Sequence, residues 1–494
     1  MKNILYTIVL FFVCACNDNI PKDFIISKEI PEIYPDYNCC TIPYNIAPLN
    51  FQIKNKAEKY ISISYSSNGD TIISSGQIVD WDIDEWHKLL LENKNDTIFT
   101  DIFLKKGNKW NKYSTLKNFI SDKNIDNYIT YRLIEPSYEL FENMSINQRN
   151  LTNFEEKVIY KNHYSNVDSE GQCINCHSTQ NYNLTNKSQF HIRLYHGGTL
   201  IATPDKITKV NLKTGNLISS GVYPAWHPYL NIIAYSINKT SQFFHQVSKE
   251  KVEVIDSRSN LVLYNIDKNE VSYIANDTCQ METFPSWSPD GKYLYYSSAD
   301  YPEECITDKS KMMSNYKNIH YNILRKKFDT NKLRFEEKVD TIYKASDFEK
   351  SATLPRVSSD GKYLLVTLGD YGNFHIWHKS SDLYLINLDT NEIYPLDNIN
   401  SNDVESYHSW SSNGAWIIFS SRRDDGSYTR PYIASFNNGI CGKPFIVPQK
   451  NPETYKNLFK SFNIPEFMIN PFSYSLNKLK NAVDNDAINA NFSN

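Results

Sequence analysis

Several familiar signatures are missing from this 494-residue sequence, and each absence removes a class of function. After the first residues, no segment approaches the ~18 apolar residues of a spanning helix, so the rest of the chain is not expected to cross a bilayer. There is no basic stripe, and a net charge of -4 leaves no electrostatic footprint for nucleic acid. No nucleophile elbow, phosphate loop, H-E-x-x-H or kinase signature is present, so nothing marks a hydrolase active site. Glycine is scarce at 16, and cysteine, at 9, is too sparse for a disulfide scaffold at this length.

What the sequence has in quantity is aromatic side chains, with 35 Tyr and 25 Phe, and this enrichment favours strands. Hydrophobic residues at 40% and charged residues at 22% fit a folded chain. The length suggests two to four domains.

Residues 1–15 read as a signal peptide: Lys2, an apolar run from Ile4 to Val13, then Cys-Ala-Cys. The V-C-A-C ending resembles a bacterial lipobox. By that resemblance, cleavage follows Ala15 and Cys16 carries the lipid, which anchors the chain at a membrane surface of the cell envelope. The alternative is a plain cleaved signal and a soluble product. An exported chain can form disulfides, and Cys279 with Cys305 is the candidate pair.

Residues 16–44 contain Pro21, Pro31, Pro35 and Pro43 without helical or strand period, and read as an extended tether. Residues 45–150 read as a mainly β domain. In it, ISISYSS (61–67) runs into the hairpin signal Asn68-Gly69, and IDEWHKLLLEN (83–93) is a helix.

The second half repeats. One element recurs as YPAWHPYLNIIAYS (223–236), FPSWSPDGKYLYYSS (284–298), LPRVSSDGKYLLVT (354–367) and YHSWSSNGAWIIFSS (407–421). Each copy is followed by a second element, as in LVLYNIDKNEV (261–271) and DLYLINLDTNEI (382–393). An unaccompanied copy of the second element, ITKVNLKTGNL (207–217), comes first. The S-P-D-G or S-N-G core supplies a tight turn in which Gly takes positive φ and Asp or Asn caps the bend. Each unit is a small antiparallel sheet that must stack on neighbours, and closing a ring removes its edges. The pattern P-x-W-S-P-D-G-K-Y-L-x-Y-x-S resembles the WD40-like repeats of TolB-type β-propellers, commonly six-bladed, over residues 196–448. Five units are legible; a sixth is irregular or completed from the N-terminal region. The fold class expected is therefore mainly β, a propeller preceded by a smaller mainly β domain.

The stretch GQCINCHSTQ (171–180) holds Cys173, Cys176 and His177 as C-x-x-C-H. Zinc wants four ligands, and no second Cys pair lies near; it would have to recruit His191, His196 or distant cysteines. A thioredoxin-like pair wants a strand before it and a helix after it, and neither is evident. The pentapeptide resembles the haem-attachment motif of c-type cytochromes. By that resemblance Cys173 and Cys176 bind one covalent haem c in a segment spanning 151–195, and His177 is the proximal iron ligand. His191 is the preferred distal ligand and His196 the next, with Met144, His163, His245 and Met281 behind; Arg193 is placed to pair with a propionate. The function this implies is one-electron transfer at the envelope, with the propeller docking a redox or other envelope protein. Two alternatives remain: an interaction scaffold with a structural haem or none, and an oxidoreductase with substrate bound over an open haem. Two loop clusters, FHIWHKSSD (374–382) and SRRDDGSYTR (421–430), read as solvated loop charge before they read as an anion or partner site. Residues 449–494 form a C-terminal extension whose Asn-rich end reads as frayed.

Overall fold

The computed structural model describes residues 20–494 except 136–142, 163, 165–170, 195, 216, 246–249, 251, 278, 301–307, 309–310, 312–313 and 494. The lipidation candidate Cys16, the pairing candidate Cys305 and the ligand candidate His163 lie outside the described residues.

The N-terminal region is built as its local signals indicate. Strands Lys59–Tyr65 and Thr71–Ser75 form a hairpin around Asn68-Gly69, where Gly69 has φ +91°. Helix Ile83–Glu92 starts at Asp82, whose carboxylate accepts from the backbone N–H of Asp84 and Glu85 (3.0 and 3.1 Å), and it buries Trp86, Leu89 and Leu90. Residues 16–44, expected as a tether, instead contribute strands: Phe24–Ile26 pairs with Lys109–Lys112, and Thr41–Pro43 pairs with Leu116–Ser121. Both pairings are parallel and non-local, which is why no period announces them.

This region is not a detached domain. Its apolar residues Ile42, Leu89 and Ile102 belong to one core with Ile417, Phe419 and Ile433 of the last legible repeat. The Trp416 indole N–H donates to the carbonyl of Asn124 (2.9 Å), and Asp126 accepts from the Ser412 backbone N–H (2.7 Å).

Four sheets follow the repeats, each opened by an inner strand: Val222–Trp226, Gln280–Trp287, Ser351–Val357 and Glu405–Trp410. The turn chemistry is repeated atom for atom. Ser288 Oγ donates to Asp290 (2.6 Å) and accepts from Tyr293 N–H (3.0 Å), while Gly291 takes φ +69°. Ser358 with Asp360 and Tyr363, and Ser411 with Asn413 and Trp416, make the same contacts. Where His-Pro-Tyr replaces Ser-Pro-Asp, His227 Nδ1 accepts from Leu230 N–H (3.0 Å), so an imidazole stands in for the hydroxyl.

Two further sheets cross the domain limits expected from sequence. Gln172–Thr179 opens a sheet with Ser188–Leu194, Gly198–Ala202 and Ile207–Asn211, so the unaccompanied copy at 207–217 does have an inner strand. Ser461–Met468 opens another, pairing with Tyr128–Ile134, which leads to Ser145–Asn150 and Glu156–Lys161. This sheet joins the C-terminal extension to the N-terminal region. The Asn-rich end is also placed: Ile488–Asn489 and Asn491–Phe492 add in parallel to the outer edges of two sheets. Successive inner strands pack side by side from Gln172–Thr179 through to Ser461–Met468, and the partners of the last one lie against the first. The architecture is mainly β and of the propeller type.

Candidate functional site

Among the described residues, the six sheet-opening strands named above carry the same irregularity. One residue in each takes a left-handed conformation: Cys176, Tyr223, Phe284, Leu354, Tyr407 and Ile464, with φ of 43, 49, 52, 56, 46 and 52°. The pairing register shifts at each of these places, as at a β-bulge. The next residue is Pro224, Pro285, Pro355 or Pro465 in four strands and His177 or His408 in the other two. A left-handed non-glycine residue costs about 1–3 kcal/mol, so six at one position mark a geometry that the packed strands impose together.

Cys176 and His177 are therefore one copy of this bulge, and the C-x-x-C-H stretch is an inner strand rather than a haem loop. Cys173 packs among Ile146, Tyr160, Ile174 and Phe190. Cys176 lines a different space, a small cavity of about 30 Å³ lined by His177, Tyr223, Phe284, Leu354, Tyr407 and Ile464 and reached also by Arg356 and Glu466. Both thiols are buried and free. Burial pushes the Cys173 thiol up, against Arg193 and Arg132.

These residues do not fit the expected haem c. A cavity of about 30 Å³ holds about two waters, not a porphyrin. Among the described residues, no group of three or more His, Cys, Asp or Glu converges as a metal-holding set. Both ring nitrogens of His177 are buried and face the backbone of Ile464 and Thr130 without a well-formed hydrogen bond, and burial with the nearby Arg132 charge lowers its pKa to about 3. His191 sits on the neighbouring strand with Nδ1 on Thr199 Oγ1 (3.2 Å), likewise lowered to about 3 by burial. The reserve ligands are used elsewhere: Met144 is in an apolar cluster, Met281 Sδ accepts from the Tyr321 hydroxyl (3.9 Å), and His245 meets Glu253 (3.2 Å). Arg193 is exposed. The covalent haem, with His177 and His191 as its iron ligands, is accordingly withdrawn.

The side chain two places after each left-handed residue opens on a larger pocket of about 310 Å³. Those positions are Ser178, Ala225, Ser286, Arg356, Ser409 and Glu466. Four are small, which suits close-packed strands, and two are charged. The Arg356 Nη1 donates to the carbonyl of Pro355 (3.0 Å). Among the described residues, Arg356 makes no ion pair within 4 Å. Burial raises the Glu466 carboxyl to about 7, with Arg356 pulling the other way. The walls are Trp226, Trp287, Trp410 and Phe467, with Tyr182 and the exposed Tyr229.

Two of the tryptophans tie neighbouring sheets together: Trp287 donates to the carbonyl of Ala225 and Trp410 to that of Arg356, both at 3.0 Å. Tyr182 stands on three consecutive left-handed residues, Asn181, Tyr182 and Asn183 (φ 45, 55 and 58°). That turn is pinned where Asn183 donates to the carbonyls of Asn470 and Pro471 (2.9 and 3.0 Å).

On the other side of the small cavity, the long hairpin of Ile232–Phe244 and Val252–Asn265 packs Phe244, Val252 and Val254 against Phe284, Leu354, Trp377 and Tyr407. The 374–382 cluster is the receptor for this hairpin. Glu253 accepts from His378 Nε2 (2.9 Å), the Tyr371 hydroxyl (2.7 Å) and His245 Nε2 (3.2 Å). Burial raises Glu253, but these bonds outweigh it and the net direction is down. Asp256 accepts from Asn238 (2.8 Å) and Asn373 (2.7 Å), and burial lifts it to about 7. The 421–430 cluster is also engaged internally: Arg422 pairs with Asp403 (3.1 Å) and leaves only its Nη1 buried without a partner among the described residues, Arg423 pairs with Glu405 (3.0 Å), and Arg430 donates to the carbonyls of Tyr455 and Leu458 (2.7 and 2.8 Å).

No protein-family model matches this chain. No curated protein matches it either. Among solved structures it is similar to prolyl oligopeptidase B from Galerina marginata, at 9% identity and a TM-score of 0.38, over 65% of this chain and 44% of that one. This chain thus matches less than half the length of that enzyme. It is also similar to an ACO/RPE65 chimera (10% identity, TM-score 0.35, 88% and 97% of the two chains). A third likeness is a DUF4784 family protein from Bacteroides caccae (8% identity, TM-score 0.27, 74% and 95%). Scores this low carry no argument about activity.

Proposed function

We propose that the chain is a six-bladed propeller with TolB-like repeats that serves as a binding scaffold at the bacterial cell envelope, taking its ligand into the pocket around Arg356 and Glu466. The electron-transfer expectation depended on the haem and is not carried forward. The blade count is supported by six inner strands that share one bulge and by the sheet that unites residues 128–161 with 461–468. Envelope anchoring is supported by the resemblance of V-C-A-C to a bacterial lipobox, which implies a lipid on Cys16. An envelope protein is the partner class that such anchoring implies.

The observation that carries the binding reading is the pocket: about 310 Å³, aromatic walls, hydroxyls from several strands, and two charges where the repeat otherwise places small residues. Such a volume lies at the lower end of small-molecule sites (~300–1,000 Å³). A ligand present at 100 times its Kd stabilises the fold by ~2.7 kcal/mol, enough to read as a Tm shift. The test is a thermal-shift panel of small amphoteric, anionic and saccharide compounds against the wild type and the double variant Arg356→Gln/Glu466→Gln. At least one class is expected to raise the wild-type Tm and leave the variant unmoved. A panel without shifts, or shifts equal in both proteins, would overturn the reading.

A further inference from the structure

We infer that the pocket recognises a small zwitterion, a free amino acid or short peptide whose carboxylate meets Arg356 and whose ammonium meets Glu466. This rests on the pocket being a ligand site, as proposed above, and adds the chemical class of the ligand.

The two charges are at equivalent places on two inner strands, separated by the strand that carries Ser409 at that place. They line one pocket, yet no ion pair within 4 Å joins them among the described residues, and Arg356 keeps donors beyond the one given to Pro355. Opposite charges that share a partly buried pocket without pairing leave two desolvated groups to be satisfied from outside. A ligand of one sign does this poorly. A plain anion on Arg356 is repelled by Glu466, and a plain cation on Glu466 is repelled by Arg356. A ligand with both charges satisfies the two groups at once and gains charge-assisted hydrogen bonds to each.

The remaining lining fits the rest of such a ligand. Trp287 and Trp410 offer apolar surface to an aliphatic body, and Ser178 and Ser286 offer hydroxyls to peptide groups, while the Ser409 hydroxyl already donates to the Pro465 carbonyl (3.1 Å). Size is limited from below: the next space inward is about 30 Å³, and the long hairpin packs beyond it. A chain of a few residues fills the pocket; a longer one must leave past Tyr229.

The experiment is isothermal titration of the full protein with trialanine, N-acetyl-trialanine and trialanine amide. It is run at pH 7.5, between the value of about 7 for Glu466 and the ~8 of a peptide α-amino group, so that the carboxylate and the ammonium are both mainly charged. Trialanine is expected to bind, and each cap to weaken binding at least tenfold, about 1.4 kcal/mol per tenfold. In Arg356→Gln the amide cap should cost nothing further, and in Glu466→Gln the acetyl cap should cost nothing further; each charge then answers to one end of the peptide. Should either variant fail to fold, as judged by circular dichroism, the capped peptides on the wild type decide alone. Equal affinity for capped and free peptides, or no binding of trialanine, overturns the zwitterion. If another compound in the thermal-shift panel still raises the wild-type Tm through these residues, the binding site stands with a different ligand. A panel and a titration both without effect overturn the two readings together.

Discussion

Arg356 and Glu466 hold the same place in two inner strands, each two residues beyond the left-handed residue that bulges its strand, and Ser409 holds that place in the strand between them. A propeller-type arrangement brings the first strand of every sheet towards one centre, so a residue at one repeat position becomes a neighbour of residues many tens of positions away. Substitution at that position alters the central pocket with little demand on the rest of the sheet. This is how a scaffold of similar units acquires one unlike site.

The link between the N-terminal region and the repeats is a fold-level test. Trp416 is completely buried and its indole reaches the carbonyl of Asn124. Trp416→Ala should cost about 3–5 kcal/mol, from lost packing and a residual cavity. Urea unfolding measures it, and limited proteolysis should show the first cuts moving into residues 45–150. A loss below about 1 kcal/mol would mean that the shared core does not couple the two parts.

The hairpin lock gives a pH dependence with a definite sign. Asp256 is 3% exposed and its folded pKa lies near 7, above its ordinary value. At low pH the group is protonated in both states. As pH rises, the unfolded chain ionises first, so the wild type loses stability between about pH 4 and 7 on account of this group. Asp256→Asn lacks that loss and can still accept hydrogen bonds from Asn238 and Asn373. The variant should therefore gain on the wild type as pH rises from 4 to 7, by at most ~4 kcal/mol at ~1.4 kcal/mol per pKa unit. Urea midpoints at the two pH values measure the gain; an unchanged difference would place the Asp256 pKa near its unfolded value.

Anchoring is tested at one residue. With Cys16 lipidated, the exported protein should enter the detergent phase of a cloud-point extraction, and Cys16→Ser should move it to the aqueous phase. Identical partitioning of the two would remove the lipid from the account.

Local grammar is what sequence displays well here. The Ser-x-Asp-Gly-Lys turns, the Asn68-Gly69 hairpin and the helix after Asp82 depend on neighbours within five residues, and each forms as its residues dictate. Pairings across the chain were not legible. Phe24–Ile26 finds its partner at Lys109–Lys112, and Tyr128–Ile134 finds its partner at Ser461–Met468, hundreds of residues away. Cys176-His177 misled for a different reason: two patterns occupy the same letters. Setting N-C-H-S-T (175–179) beside S-Y-H-S-W (406–410) shows the repeat, since His408 holds the same place on a strand that has no cysteine. The same alignment exposes Arg356, which lies in a quoted repeat element whose turn residues carried the reading, and Glu466, which lies outside the quoted repeats in the C-terminal extension.

The measurement that bears most directly on this account is the intact mass of residues 17–494 purified from a periplasm with active haem c maturation, alongside a haem stain on a denaturing gel. The account holds that residues 172–179 are an inner strand, with Cys173 and Cys176 as buried free thiols. It therefore expects the mass of the bare polypeptide, no stain, and two thiols at these positions that react with alkylating reagent only after denaturation. A mass larger by one haem, with a stain lost in Cys173→Ala/Cys176→Ala, would contradict it and return the motif to cofactor chemistry.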